Sequence, residues 1–449
     1  MIGAALSRWT MAYFAAGFAF LVLAEALMAC GYGFPAVAVE APETLVLVHV
    51  VAIGWLSLLL CGALFQFVPV LVAQPLQGSG LVLPALACLL GGLACLLTGF
   101  LGLSGVVDTA LPFFPAAGIL LAAGFGSMAW AVARTLWSAR ESDLPLPVRF
   151  VAAGLACLVA VALLGVTFTF VLSGVLPVAA AGLLVDGLPA HAAAGVAGWL
   201  TFTAVGVSYR LLPMFMLAPE GARRTTHLAW WSGSAALVLA ILAAPLERAF
   251  LGSWLAAALA GLLGCAALLC YGADLVFFYR HRKRKAIELN SRSAVAAFAC
   301  LYLVAILTLA LLAFGDAGRH IGALVFLAAF GWLSGLGLSQ LYKIVPFLTW
   351  LECYGPVMGR RPTPRVQDLV VERRDGPWFA LYFAAVLAGT AALLAERPDL
   401  FRLAATAMLA ATAAIGIELV LVRRLFNVAE DKRLPEGTVR PRLFLATPR

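Results

Sequence analysis

One helical stretch is written three times in this chain, and that recurrence constrains what it can fold into. It reads HVVAIGWLSLLLCGALFQFVP from His49 to Pro69, HAAAGVAGWLTFTAVGVSYRLLP from His191 to Pro213, and HIGALVFLAAFGWLSGLGLSQLYKIVP from His320 to Pro346. Aligned on Gly54-Trp55, Gly198-Trp199 and Gly331-Trp332, each copy has a proline 15 residues after the glycine and a polar residue 12 after it: Gln66, Arg210 and Lys343. The residue before the polar one is aromatic each time: Phe65, Tyr209 and Tyr342. Each copy also begins on a histidine. Offsets shared at this many positions point to an internal triplication.

Composition fixes the solvent. The 449 residues are 63% hydrophobic and 12% charged, about half the charge of an ordinary soluble domain. A spanning helix needs about 20 apolar residues. About twelve such stretches occur, near 10–33, 43–73, 80–103, 110–136, 147–174, 188–217, 225–245, 250–280, 293–315, 320–350, 376–396 and 400–425. The segment 225–280 can be divided differently around Pro245-Leu246-Glu247-Arg248. Strands of alternating polarity are missing, which argues against an outer-membrane barrel. The expected fold is an all-α membrane protein. The first stretch begins after Arg8 without a clear cleavage site, so it is expected to be retained.

With the marked stretch as the second helix of each unit, the chain divides into three repeats of four spans: 8–140, 147–285 and 293–426, followed by a tail at 427–449. The fourth spans agree independently, with Met128, Asp274 and Glu418 each six residues before Arg134, Arg280 and Arg424. Repeats of even length keep one orientation, so a pseudo-threefold axis along the membrane normal is expected, with the marked helices as symmetry mates.

The net charge of +8 reflects topology rather than nucleic-acid binding. Arg134, Arg140 and Arg149, then Arg223 and Arg224, then Arg280, Arg282, Lys283, Arg284, Lys285 and Arg292, then Arg360, Arg361, Arg365, Arg373 and Arg374 all fall in loops after even-numbered spans. The other loops carry Glu40, Glu43, Asp108 and Asp186, with isolated Arg248, Arg319 and Arg397. The positive-inside rule places both termini in the cytoplasm, in a bacterial inner membrane. The run at 280–285 is a topology anchor or a site for anionic lipid. The 351–376 loop is expected to be ordered but non-helical, and the tail loosely held. The nine cysteines lie mostly inside apolar spans at no metal spacing and read as small packing residues.

Candidate chemistry divides by side. The marked helices run from outside to inside, so His49, His191 and His320 collect in the outer half, one per repeat. A histidine there bonds a neighbouring carbonyl, sits at the headgroup level, or ligates haem iron or copper. Glu25, in FLVLAEALMACGYG, is an intramembrane carboxyl that needs a partner. It orients a histidine, passes protons or bonds a neighbouring helix; Met28 and Cys30 nearby are soft candidates for copper. On the inner side Gln66, Arg210 and Lys343, with Tyr209 and Tyr342, form a polar mouth for protons or an anion, or snorkel to lipid phosphates. Asp274 and Glu418 are expected to pair locally with the arginines that follow them. The three prolines are expected to kink or end their helices, and each tryptophan to fill the space beside its glycine. No Walker loop, dinucleotide-binding glycine pattern, His-Glu-x-x-His, nucleophile elbow or Cys-x-x-Cys-His occurs. Enzyme and non-enzyme readings both stay open.

Twelve helices in three fours, with histidines near the outer ends of helices 2, 6 and 10, resemble subunit I of the haem–copper oxidases. The marked stretch is more similar to the NnrS family of membrane haem–copper proteins, linked to nitric oxide and denitrification stress. That family carries a His-x-His pair seven and five residues before a glycine. His191 matches the first position and His49 the second, while Leu47 and Ala193 occupy the partner positions. A complete oxidase of this kind needs about six histidines for two haems and a second metal; this chain has five, three on the outer side. The resemblance therefore implies haem b or copper held by His49, His191 and His320, with Glu25, Gln66, Tyr209, Arg210, Tyr342 and Lys343 as supporting or proton-path residues. It implies a role in redox chemistry, nitric oxide response or oxidase biogenesis, with respiratory-chain or oxidase-assembly proteins as partners in the lipid bilayer. The same architecture without cofactor would serve a transporter, a channel or an assembly factor.

Overall fold

A computed structural model describes residues 8–108, 111–139, 144–177, 182–249 and 255–446. Arg140 and the side chain of Arg248, both used above to assign topology, lie outside the described residues. Every regular element among those described is helical. Twelve helices are long and apolar enough to cross a membrane: α1 (Thr10–Ala29), α2 (Pro42–Val72), α3 (Ser79–Leu103), α4 (Phe113–Trp137), α5 (Leu146–Leu172), α6 (Gly182–Met216), α7 (Arg224–Ala243), α8 (Leu255–Arg280), α9 (Leu289–Phe314), α10 (Ile321–Val357), α11 (Glu372–Leu394) and α12 (Pro398–Arg423). They correspond one for one to the apolar stretches of the sequence. The chain is an integral membrane protein.

Two compact units form. One comprises residues 1–66 with 288–449, and the other residues 67–287. The first repeat is thus shared between them, and the boundary falls inside α2. In the first unit, α1 packs on α12 and on the middle of α2, α9 packs along α10, and α11 lies along α12. In the second, α3 pairs with α4, α7 with α8, and α5 with both α4 and α6. Close approach is bought with small residues: a side-chain carbon on Gly62 would lie 2.7 Å from Tyr13, and one on Gly206 2.6 Å from Phe150.

Two sequence expectations are corrected, and a third is narrowed. Of the two fates expected for the prolines, kinking or ending their helices, ending does not occur: α2 runs on to Val72 past Pro69, α6 to Met216 past Pro213, and α10 stays α-helical to Tyr354 past Pro346. Neighbouring helices in a membrane bundle can support the freed carbonyls. The 351–376 loop is helical at both ends, with a tight turn at Val366–Leu369 between them. The tail is tied rather than loose. The Arg423 guanidinium donates to the carbonyls of Arg442 and Leu445, the Tyr354 hydroxyl donates to the Arg433 carbonyl at 2.7 Å, and the Ala446 amide donates to the Arg8 carbonyl at 3.0 Å. Charge and proline suggested solvent, but backbone carbonyls of a polar tail are good acceptors for a buried arginine.

Candidate functional site

Each Gly-Trp pair lies inside a π-helical segment, where amides bond five residues back instead of four. These segments are Val50–Ser57, Ala193–Phe202 and Leu327–Ser334. Such wide turns are rare and frequent at functional sites. The sequence carries a further signal for them that the offsets above omit: a leucine and then a hydroxyl follow each tryptophan, giving Ser57, Thr201 and Ser334. The Ser57 hydroxyl donates to the Ala52 carbonyl at 2.7 Å, and the Ser334 hydroxyl to that of Ala329 at 2.7 Å. Both reach back five residues, the span of the wide turn itself.

The tryptophans are buried, Trp55 completely. A cysteine of the preceding helix lies close beside Gly198 and beside Gly331. A side-chain carbon on Gly198 would lie 2.6 Å from Cys157, and one on Gly331 2.9 Å from Cys300. The Trp55 ring meets Gly17 of α1 and Gly337 of α10, and its indole N–H donates to Ser334 Oγ at 2.9 Å. Two of the three π segments are therefore joined side chain to side chain within the first unit.

His49 is the last residue before the first π segment, and its Nδ1 lies 2.7 Å from the Leu45 carbonyl. A carbonyl can only accept, so Nδ1 carries the proton and Nε2 is the unprotonated ring nitrogen. His191 stands two residues before the second segment. Its ring lies 5.4 Å from that of Phe168, and its Cε1 lies 3.2 Å from where Gly165 would carry a side chain. His320 is the N-terminal flanking residue of α10, seven before its π segment. Beside it Arg319 pairs with Glu396, and this contact holds the Glu396 carboxyl below its ordinary value. Among the described residues, no group of three or more His, Cys, Asp or Glu side chains is placed to hold a metal ion.

Glu25 is fully buried in α1. Its Oε1 accepts from the Thr412 hydroxyl of α12 at 3.0 Å, while its Oε2 has no partner among the described residues.

The polar residues toward the C-terminal ends of α2, α6 and α10 are mostly fastened into ionic networks. Tyr209 donates to Asp274 Oδ2 at 2.9 Å; Asp274 also accepts from Arg223 at 2.7 Å, from Thr226 at 2.9 Å and from Thr225. Arg210 pairs with Glu220. In the other unit Tyr342 donates to Asp375 Oδ2 at 2.6 Å. Arg374 bridges Asp375 to Glu418, and Asn427 donates to Glu418 at 2.7 Å. Lys343 pairs with Glu288, which also accepts from Gln367 at 2.9 Å. Gln66 is buried in α2. The local pairings expected for Asp274 and Glu418 are thus replaced: each takes its cation from the start of another helix. Sequence reasoning missed Glu220, Glu288 and Asp375, which stand in charge-rich connections or at a helix start where many partners are equally plausible. The tyrosines before Arg210 and Lys343 were the usable sign, because a buried phenol requires an acceptor.

No protein-family model matches the chain, and no curated protein matches it either.

Proposed function

We propose that this multi-pass protein binds a haem on the side of the membrane where α2, α6 and α10 begin, with His49 as axial ligand, and that it serves redox chemistry, nitric oxide response or the biogenesis of a respiratory oxidase. The supporting observation is the fixed tautomer of His49 at the head of a π segment. A backbone carbonyl on Nδ1 is the usual outer partner of a metal-bound imidazole. Haem iron needs a single protein imidazole, which His49 can provide. A copper centre built from the protein needs several ligands in one place, and the described residues do not gather them. The group, when bound, would supply one-electron chemistry or a binding position for a small gas. The chain's own contribution is to orient His49 through Leu45. His191 and His320 would be further residues to hold the group. The basic loops support an inner-membrane orientation with both termini in the cytoplasm.

Arg210 and Lys343 are both engaged with carboxylates, which weakens the reading of a transport path lined by unpaired cations. The test is a reduced-minus-oxidised visible spectrum of protein from haem-replete cells, with metal analysis on the same sample. A Soret band that disappears in His49→Ala is the expected result. Colourless protein without metal sinks the proposal, and a band unchanged in His49→Ala moves the ligand elsewhere.

A further inference from the structure

We infer that Glu25 is an intramembrane proton-exchange site, with Oε2 as the atom that gains and loses the proton. This does not rest on the haem reading. Two arrangements would lock a buried carboxyl into one state. A cation beside it would hold it ionised, and an acceptor beside its O–H would hold it neutral. Neither is present among the described residues: Oε1 takes the Thr412 hydroxyl, and Oε2 meets no donor or acceptor. The ionised form keeps one hydrogen bond but lacks a counter-charge, which is costly in a membrane interior. The neutral form sheds the charge but leaves its O–H unanswered. Neither state is locked by a partner.

The groups around it do not fill the vacancy. Helix α1 packs on α12 and on the π segment of α2. On α12, Arg402 donates to the Ala29 carbonyl, Arg423 pairs with Glu352, Glu418 pairs with Arg374, and Asp399 pairs with Arg397. On α2, His49 is turned to Leu45. Tyr382 of α11 is also within electrostatic reach, and its hydroxyl donates to the Phe330 carbonyl at 2.9 Å. Glu25 stands four residues before the end of α1 at Ala29, about 6 Å along the axis. The proton therefore exchanges with water at that end of the helix. The O–H bond of Oε2 breaks, water takes the proton, and the carboxylate left behind keeps the Thr412 bond.

Difference infrared spectroscopy on the full chain in liposomes tests this. The expected result is a neutral-acid carbonyl band that shifts in deuterated water and is lost as pH rises, and that is missing from Glu25→Gln. Thr412→Val removes the only donor to the carboxylate among the described residues and should raise the titration midpoint by about one unit, a tenfold gain in proton affinity. If Glu25→Gln does not assemble, the Thr412→Val displacement carries the assignment alone. A Glu25 band that ignores both pH and deuterium overturns the inference. So does the lack of any Glu25 carbonyl band, or a midpoint that Thr412→Val leaves in place. The band does not depend on a Soret absorbance, so the two proposals fail separately.

Discussion

Asp274 and Glu25 are both fully buried carboxyl side chains, and the two units treat them in opposite ways. Asp274 receives a guanidinium, a phenol and two threonine hydroxyls. Glu25 receives one hydroxyl. Arg423 with Glu352 follows the first pattern inside the unit that contains Glu25: Arg423 also donates to Thr349 at 3.0 Å and to tail carbonyls. Full satisfaction therefore is not a property of one unit. It marks carboxylates whose work is to hold helices together, and its lack marks one whose protonation state is free to change. A saturated ionic cluster is held in one protonation state by its partners, whereas a carboxyl with one donor and no counter-charge is not.

Substitutions can break or sharpen that contrast. The largest effect is expected for Arg423→Ala, which takes the guanidinium away from buried Glu352 and releases the tail. A loss of about 3–5 kcal/mol is expected, read as early thermal denaturation in detergent. Asp274→Ala should cost about 3 kcal/mol, because three hydroxyls and a partly exposed guanidinium lose their acceptor, and Asp274→Asn should recover part of it. If Asp274→Ala melts like the parent, the saturated class has no structural meaning. Trp55→Phe removes the bond to Ser334 while keeping most of the ring's bulk, and a loss of about 1 kcal/mol is expected in the same assay. Glu25→Gln should change stability by less than about 0.5 kcal/mol, since Thr412 keeps an acceptor and no ion pair is broken. A loss as large as that of Asp274→Ala would move Glu25 into the structural class. The smallest effect belongs to the exposed Arg319–Glu396 pair. Its arginine depresses the Glu396 carboxyl from 4.5, so any contribution is complete above that pH and fades as pH falls below it. Arg319→Ala should flatten this acid-side dependence and leave neutral-pH stability unchanged.

Hydropathy was enough to place all twelve spans, because lipid demands long apolar helices and little else competes with that signal. The Gly-Trp offsets located the three positions where the backbone departs from α-helix, but not the departure itself. A bond five residues back leaves no composition of its own, and only the Ser57, Thr201 and Ser334 hydroxyls hint at it. That the marked helices run on past their prolines was not legible, because the sequence shows a missing amide but not the neighbours that support the helix around it. The partners of Tyr209, Tyr342, Arg210 and Lys343 were illegible for another reason. They lie 65, 33, 10 and 55 residues away in the chain, and loop charges offer no periodicity from which to choose among them. Glu25 was visible as an intramembrane acid. That it has one partner and not four was a matter of packing.

The π segments also bear on how this chain tolerates changes of length. A wide turn accommodates one residue more than an α-helical turn would, so α2, α6 and α10 each hold a surplus residue beside the Gly-Trp pair. Removing one residue inside Val50–Ser57 lets the segment tighten into ordinary helix while both flanks stay in place. The same deletion in α1 or α12, which have no slack of this kind, rotates everything beyond it by about 100° and turns a buried stripe toward lipid. The three marked helices are thus where the chain can shed a residue and still cross the membrane with its faces in register.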